Sequence, residues 1–210
     1  MKKIKHPFSA LSHGIGALLG IVALVLLLVW SRGEPWRTTA FAIYGATLIL
    51  LFTGSALYHS LLVSEKAQDV LYGLDRTGIY LLIAGTYTPL CLLPLRGSWG
   101  WTLFGIIWGL AVVGIVVDWA TQRRAPHWVQ GLLFILMGWC FLIAIVPIVK
   151  LLTVAQLTWL VAGGVIYSLG AGICVKYPLP KPGKIFHYHD LWHVMVLVAS
   201  ACHFVFMSLL

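Results

Sequence analysis

The stretch that decides the fold is residues 11–30, LSHGIGALLGIVALVLLLVW, which contains no Asp, Glu, Lys or Arg. A helix of about 20 predominantly apolar residues crosses the hydrocarbon core of a bilayer, so this stretch predicts a transmembrane helix. Six further apolar stretches follow it. The sequence therefore predicts an all-α polytopic membrane protein, a single seven-transmembrane helix bundle over residues 1–210, with spans at roughly 11–30, 38–62, 72–95, 99–117, 127–149, 153–175 and 187–209.

The composition supports the membrane interpretation. The chain is 60% hydrophobic and 10% charged, with a mean hydropathy of +0.95, whereas ordinary soluble domains carry roughly 25% charged residues. The short connections between the predicted spans leave almost no chain for a soluble domain. We expect a multi-pass protein of the cell (plasma or inner) membrane, and the sequence does not indicate its oligomeric state.

The net charge of +8 is explained by topology and does not indicate binding to nucleic acid. If the N-terminus is cytoplasmic and the seven spans alternate, ten Lys and Arg residues fall on the inner side and four on the outer side. This asymmetry follows the positive-inside rule. We therefore predict a cytoplasmic N-terminus, an outside C-terminus and contact between the inner charges and anionic lipids. The inner set is Lys2, Lys3, Lys5, Lys66, Arg76, Arg123, Arg124, Lys176, Lys181 and Lys184; the outer set is Arg32, Arg37, Arg96 and Lys150.

Small residues and prolines predict how the spans pack and bend. Gly16-x3-Gly20 and Gly105-x3-Gly109 predict close helix contacts, because small residues let two membrane helices approach. Pro147 interrupts the predicted fifth span and predicts a kink there, since proline removes a helical hydrogen bond.

Two histidines open the predicted seventh span, in the segment His189-Asp190-Leu191-Trp192-His193. Residues i and i+4 of a helix project from the same face, so both imidazoles can converge on one point. Their position in the first two turns places them near the cytoplasmic side of the predicted topology.

Two other spans bring polar groups to the same depth. His59 lies near the inner end of the second span, with Ser55 one turn before it, and Asp75 lies just inside the third span. At a rise of 1.5 Å per residue, these depths agree to about one helical turn. Three segments that are far apart in sequence therefore place three imidazoles and a carboxylate in one layer.

These residue types have two interpretations. Neutral imidazole binds zinc well, and three protein nitrogens with an open fourth position are the arrangement of catalytic zinc sites. Asp75 could then hold the attacking water or take its proton, and Ser55 could donate a hydrogen bond to that water or to a substrate carbonyl. The alternative is a cluster of hydrogen-bonded His and Asp side chains that ties the helices together.

The remaining histidines and Asp190 carry weaker predictions. His13 opens the first span and is interpreted either as a neighbour of the site or as a lipid-facing residue. His203 lies ten residues after His193, about 15 Å along a helix, so we expect a packed polar residue there. His6 is expected in a loop, and Asp190 is expected to pair with a lysine of the loop before the seventh span.

The chain resembles the progestin-and-adipoQ receptor family, whose bacterial branch is called hemolysin III. The resemblance covers nearly the whole chain, although the family has an acidic residue and Asn ahead of its first-span His where this chain has Ser9 and no acid. The matching motifs are Ser55-x3-His59, Asp75, His189-x3-His193, His13-Gly14-Ile15-Gly16, Leu82-Ile83-Ala84-Gly85-Thr86-Tyr87-Thr88-Pro89 and Cys202-His203-Phe204.

The resemblance implies a seven-helix bundle with a cytoplasmic N-terminus and a zinc ion (Zn²⁺) near the cytoplasmic side. It implies His59, His189 and His193 as the zinc ligands, with Asp75 and Ser55 as the polar groups around the reacting water. The wider superfamily includes alkaline ceramidases, which hydrolyse lipid amides.

Three functions are consistent with these residues. The first is a zinc-dependent intramembrane hydrolase of a lipid amide or ester, similar to a ceramidase, with a membrane lipid as substrate. The second is a membrane sensor or homeostasis protein in which zinc is structural and a lipid is the ligand. The third is cytolysis by membrane permeabilisation, as the name hemolysin implies.

Overall fold

A computed structural model of the protein describes residues 4–122, 126–177 and 186–210. Within these ranges the chain is helical and contains no strand. The helices are α1 (Pro7–Trp30), α2 (Pro35–Ser60), α3 (Glu65–Leu92), α4 (Ser98–Ala120), α5 (His127–Gly138), a 3-10 helix (Cys140–Ala144), α6 (Ile145–Leu151), α7 (Val154–Lys176) and α8 (Tyr188–Ser208).

Local sequence signals explain where several helices begin. Pro7 and Pro35 are the first residues of α1 and α2, a position at which the missing N–H of proline has no helical partner to lose. Thr153 and Gln156 form a capping box at the start of α7. The Thr153 hydroxyl accepts a hydrogen bond from the Gln156 backbone N–H, and the Gln156 amide oxygen accepts one from the Thr153 backbone N–H. Two otherwise unpaired N–H groups are therefore satisfied.

Six helical segments are long and apolar enough to cross a membrane, and the prediction of an all-α polytopic membrane protein is confirmed. Five of them are α1, α2, α4, α7 and α8, and the sixth runs through α5, the 3-10 helix and α6 over Trp128–Leu151. α3, the predicted third span, is the least apolar of the long helices and is not among these six segments. The seventh span, the single-domain organisation and the sides on which the termini lie stay predictions.

The helices pack around a central space. α1 contacts α2 and α8, α2 contacts α3, and α7 contacts α8 and α5. A smaller contact between α3 and α5 closes the ring, and α4 packs outside it against α3 and the 3-10 helix. The predicted seventh span thus lies beside the first, and the two helices run in the same direction, with Ser9 against Asp190 at one end and Trp30 against Phe204 at the other.

The fifth crossing is broken where the sequence predicts a kink. Pro147 has no N–H to donate to the carbonyl of Ile143, and the chain adopts a 3-10 turn over Cys140–Ala144 immediately before it. The Tyr87 hydroxyl of α3 lies 3.0 Å and 2.7 Å from the carbonyl oxygens of Met137 and Gly138, and it accepts a hydrogen bond of 3.0 Å from the Phe141 N–H. One side chain therefore supplies partners for backbone groups that the break exposes.

The two glycine pairs behave differently. A Cβ at Gly16 would lie 2.6 Å from Phe52 Cδ1, and a Cβ at Gly20 would lie 3.3 Å from Ile49 Cγ1, so α1 and α2 approach closely as predicted. No described atom lies within 4 Å of a Cβ built at positions 105 and 109. The prediction of a close helix contact at Gly105 and Gly109 is therefore wrong for the described residues.

One charged residue of α3 and one of α4 are buried together as an ion pair. The Arg76 guanidinium donates to the Asp118 carboxylate and, at 3.2 Å, to the Tyr72 hydroxyl, and both members of the ion pair are 5% exposed. Arg76 is therefore buried and does not contact anionic lipids as expected for the inner charges, and Asp118 extends α4 beyond the predicted fourth span of 99–117. The other inner residues Lys2, Lys3, Arg123, Arg124, Lys181 and Lys184 lie outside the described residues.

Candidate metal centre

His59, His189 and His193 form a compact buried cluster. One ring nitrogen from each lies within 4.8 Å of a ring nitrogen of the other two, and the three residues are 1%, 7% and 2% exposed. The ring centroids are 4.6 Å apart for His59 and His193, 4.9 Å for His189 and His193, and 5.7 Å for His59 and His189. The structure thus brings together the three imidazoles that the sequence placed in one layer.

The first turn of α8 is held in place by Asp190. Its Oδ2 accepts a hydrogen bond of 2.6 Å from the His187 backbone N–H, and its Oδ1 accepts one from the Ser9 hydroxyl of α1. The expected ion pair of Asp190 with a loop lysine would involve residues outside the described ranges, and the partners that the structure shows are Ser9 and His187. These bonds orient the helix end from which His189 and His193 project.

The nitrogens of the cluster are suited to binding a metal. Among the described residues, both ring nitrogens of His193 and Nδ1 of His189 have no hydrogen-bond partner although they are buried. A buried polar atom without a partner costs roughly 1–3 kcal/mol, and neutral imidazole nitrogens are the donors that zinc prefers. The three-histidine set therefore fits a metal ion, and the identity of that ion is a matter for the proposal below.

Ser55 and Asp75 lie beside the cluster. Both line the same cavity as His189 and His193, and the Ser55 side chain interacts with the Asp75 carboxylate. Lys5, which precedes α1, contributes a positive charge to the surroundings of Asp75; partial burial lowers the pKa of Lys5, while the Asp75 carboxylate opposes that shift. A carboxylate and a hydroxyl thus line the same cavity as two of the three imidazoles.

The cavity extends from the cluster into the bundle and has a volume of about 180 Å³. Its lining includes residues of α8 from His189 to His203, a distance of about 21 Å at 1.5 Å per residue. The walls beyond the cluster are mainly apolar, with side chains such as Leu90 and Phe134. One end of this space is therefore lined by polar side chains, and the remainder is mainly apolar.

Comparison with known proteins identifies the family. The model of the family described as "Haemolysin-III related" matches residues 1–204. The chain is 41% identical to "Hemolysin-3" of Bacillus cereus over 198 residues, which cover 93% of this chain and 87% of that protein. The chain belongs to the haemolysin III-related family. It is also 39% identical to "Hemolysin-3 homolog" of Bacillus subtilis (strain 168), with 93% and 89% covered, and 27% identical to "Monocyte to macrophage differentiation factor" of Homo sapiens, with 95% and 82% covered.

Membership in the haemolysin III-related family confirms the resemblance that the histidine motifs indicated. Together with the six long apolar helical segments, it establishes a multi-pass membrane protein. The ligand roles of His59, His189 and His193 and the roles of Asp75 and Ser55 stay predictions for this family member.

Two further histidines reach the cluster from α1 and the residues before it. His13 is 2% exposed, and its ring centroid lies 4.0 Å from that of His193, so the lipid-facing interpretation is wrong. His6 lies before the first helix, as expected of a loop residue, and is buried there as the N-cap of α1; its Nδ1 lies 2.8 Å from Nδ1 of His59. Spacing could not reveal His6, because it lies outside any predicted span.

His203 is separate from the cluster, as expected. It lies near the far end of the cavity, and its Nε2 is 3.3 Å from the Leu160 carbonyl oxygen of α7. The prediction of a packed polar residue is confirmed by this contact and by its 8% exposure.

Proposed function

We propose that the protein is a zinc-dependent hydrolase of a lipid amide or ester. The observation that carries the proposal is a cluster of three buried imidazoles, two of which have ring nitrogens without a partner among the described residues, at the polar end of a mainly apolar cavity. Zinc bound by these nitrogens supplies Lewis acidity, which polarises a carbonyl oxygen and makes water nucleophilic at neutral pH.

The residues around the cluster have separate roles in this proposal. His59, His189 and His193 hold the ion. The Asp75 carboxylate accepts the proton of the attacking water and returns it to the leaving amine or alkoxide, which is the usual work of a general acid–base. The Ser55 hydroxyl orients that carboxylate or donates to the substrate carbonyl. The apolar walls hold the acyl part of the lipid and exclude bulk water.

A membrane lipid as substrate is supported by the dimensions of the cavity. One leaflet of the hydrocarbon core is about 15 Å thick, half of the roughly 30 Å total, and the lining of the cavity along α8 is longer than this. An acyl chain can therefore lie within the bundle with its carbonyl near the histidines.

We also propose that α3 crosses the membrane and that the N-terminus is cytoplasmic. α3 has 28 residues, about 42 Å at 1.5 Å per residue, and connects α2 to α4 through short turns. The ion pair with Asp118 neutralises Arg76, one of the charges that make α3 less apolar. Without Arg76 the inner set of basic residues still exceeds the outer set by nine to four. This topology places the metal centre near the cytoplasmic side.

The hydrolase is tested with Asp75→Asn. The purified wild type is assayed in mixed micelles with a fluorescent N-acyl lipid amide and the corresponding acyl ester, beside elemental analysis for zinc. We expect Asp75→Asn to retain zinc and to lose at least 10²-fold in rate, since general acid–base groups contribute roughly 10²–10⁴-fold. The control is Asp69→Asn, which removes an exposed carboxylate six residues earlier in α3. Full activity of Asp75→Asn would exclude the proposed base.

A membrane sensor with structural zinc is the second candidate, and His13 is the observation that favours it. Both nitrogens of this buried ring have no partner among the described residues, and the ring faces His193. A fourth imidazole would close the site, which is the arrangement of structural zinc. For this function we expect no hydrolysis of either probe, and a large loss of zinc affinity in His13→Ala. Retained zinc affinity in that variant would favour the open, catalytic site.

Permeabilisation is suggested by the name of the Bacillus cereus relative. The cavity is mainly apolar beyond the cluster, which does not favour a conducting path for water or ions. A dye-release assay on vesicles that contain the purified wild type or His59→Ala tests this function, because release that needs His59 would connect lysis to the metal centre.

A further inference from the structure

We propose that His6 is a positioning residue of the metal centre: its Nδ1 accepts a hydrogen bond from Nδ1–H of His59 and thereby presents Nε2 of His59 to the metal. The inference rests on the proposed function only in taking His59 as a ligand. Its basis is the contact of 2.8 Å between the two Nδ1 atoms, which joins the residues before α1 to the end of α2.

The contact is a built feature of the fold and not a chance approach of two side chains. The His6 backbone N–H also donates to the His59 carbonyl oxygen at 2.9 Å. That carbonyl belongs to the last turn of α2, where carbonyls have no partner within their own helix. His6 is therefore attached to His59 at two points, and both residues are buried, at 5% and 1% exposure. Lys5 adds a third contact, with its Nζ 4.0 Å from the centre of the Tyr58 ring.

The chemistry of the pair determines which nitrogen of His59 binds. A neutral imidazole has one N–H donor and one bare nitrogen, so one Nδ1 of the pair donates and the other accepts. If His59 donates, its Nε2 is the bare nitrogen and is the one that His59 can offer to a metal held with His189 and His193, which lie in the same cluster. If His6 donates, Nε2 of His59 carries the hydrogen and cannot bind. Histidine ligands commonly donate their other N–H to a neighbouring acceptor, which fixes the orientation of the ring.

The primary test measures zinc affinity rather than turnover. Competition with a chromophoric chelator gives the affinity of the wild type, His6→Ala and His6→Asn, and circular dichroism confirms that each is folded. Losing such a partner typically weakens metal affinity 10–100-fold, so we expect that loss in His6→Ala. In His6→Asn the amide oxygen can accept from His59, and we expect most of the affinity to return. Ile4→Ala, which changes an exposed residue of the same segment, is the control and should bind as the wild type does.

The results that overturn the inference are equally specific. Unchanged affinity in a folded His6→Ala would show that His59 does not need this partner. An affinity in His6→Asn as low as in His6→Ala would show that His6 does not act as the acceptor for His59. Hydrolytic activity plays no part in either result, so failure of the hydrolase and failure of this inference are distinguishable.

A second measurement tests the hydrogen bond without metal. Histidine labelled with ¹⁵N distinguishes a protonated Nδ1 from a protonated Nε2, and the signals of His59 are assigned by their loss in His59→Ala. Protonation of Nδ1 in the metal-free wild type supports the inference. Protonation of Nε2 overturns the inference. This outcome is informative even if the protein binds no zinc, because the measurement is made on the metal-free protein.

Discussion

The ion pair between Arg76 and Asp118 allows a quantitative prediction about the inner end of the bundle. Both side chains are 5% exposed, so their charges have lost nearly all contact with water. In Asp118→Leu the guanidinium stays buried without its carboxylate. Breaking a buried pair in this way costs about 3–5 kcal/mol, which is roughly two to three and a half orders of magnitude in the unfolding equilibrium constant.

The double variant is expected to behave differently from either single variant. In Arg76→Met/Asp118→Leu no charge is left behind, and apolar side chains of similar length fill the space. Replacing a whole buried pair by packed apolar residues is often neutral or stabilising. We therefore expect the stability of the double variant to return to within about 1.5 kcal/mol of the wild type. Equilibrium unfolding in mixed micelles of dodecyl maltoside and SDS, followed by circular dichroism, measures all three proteins.

The same assay contains its own control. Arg37 and Glu34 form an ion pair of 3.3 Å at the start of α2, with side chains 22% and 62% exposed. Exposed pairs contribute about 0–1 kcal/mol, so Glu34→Gln should hardly change the unfolding midpoint. The reasoning is refuted if Asp118→Leu is as stable as the wild type, or if the double variant loses the sum of the two single losses.

Three further predictions concern the metal and the packing, all read from the midpoint of thermal unfolding in detergent. Zinc that binds only the folded protein stabilises it, by about 2.7 kcal/mol at a hundredfold excess over Kd. EDTA should therefore lower the midpoint of the wild type and leave the midpoint of His189→Ala/His193→Ala unchanged. An equal response of the two proteins would show that zinc binds elsewhere. Gly85→Ala should lower the midpoint by the equivalent of about 1–3 kcal/mol, because its Cβ would lie 2.0 Å from a threonine hydroxyl of α2. Gly105→Ala, which meets open space, should have little effect, and similar shifts for both would contradict the packing argument. Ser9→Ala should lose a hydrogen bond to a carboxylate worth about 1.5–3 kcal/mol, and an unchanged midpoint would mean that the bond contributes nothing.

The convergence of the histidines could be predicted because it depends on only two regularities. The i and i+4 spacing places His189 and His193 on one face, and alternation of the spans brings His59 to the same depth. The first regularity follows from helix geometry, and the second follows from the length of helix that crosses the membrane. Both can be read from the sequence as residue spacing and as the lengths of the apolar stretches. Neither needs any knowledge of how the helices are arranged side by side.

The residues that could not be predicted depend on that lateral arrangement. His6 contacts a residue 53 positions away, and nothing in its local sequence distinguishes it from a loop residue. Asp118 follows an uninterrupted apolar run, so its sequence position suggests the membrane surface, whereas its burial depends on α4 lying against α3. The open face of Gly105 has the same origin, since a small-xxx-small spacing predicts the capacity for close contact and not the presence of a neighbour.

The break in the fifth crossing has a consequence for how the protein tolerates sequence change. The hydroxyl of Tyr87 is bonded to backbone groups on both sides of the break, so the course of that segment depends on an oxygen atom that belongs to α3. Residues within the segment itself can be exchanged for other apolar residues without touching this atom. The change Tyr87→Phe hardly alters the volume of the side chain, but it removes this oxygen. It would therefore alter the wall of the cavity that the neighbouring broken segment forms. The shape of the cavity thus depends partly on a hydroxyl whose loss would leave the size of its side chain almost unchanged.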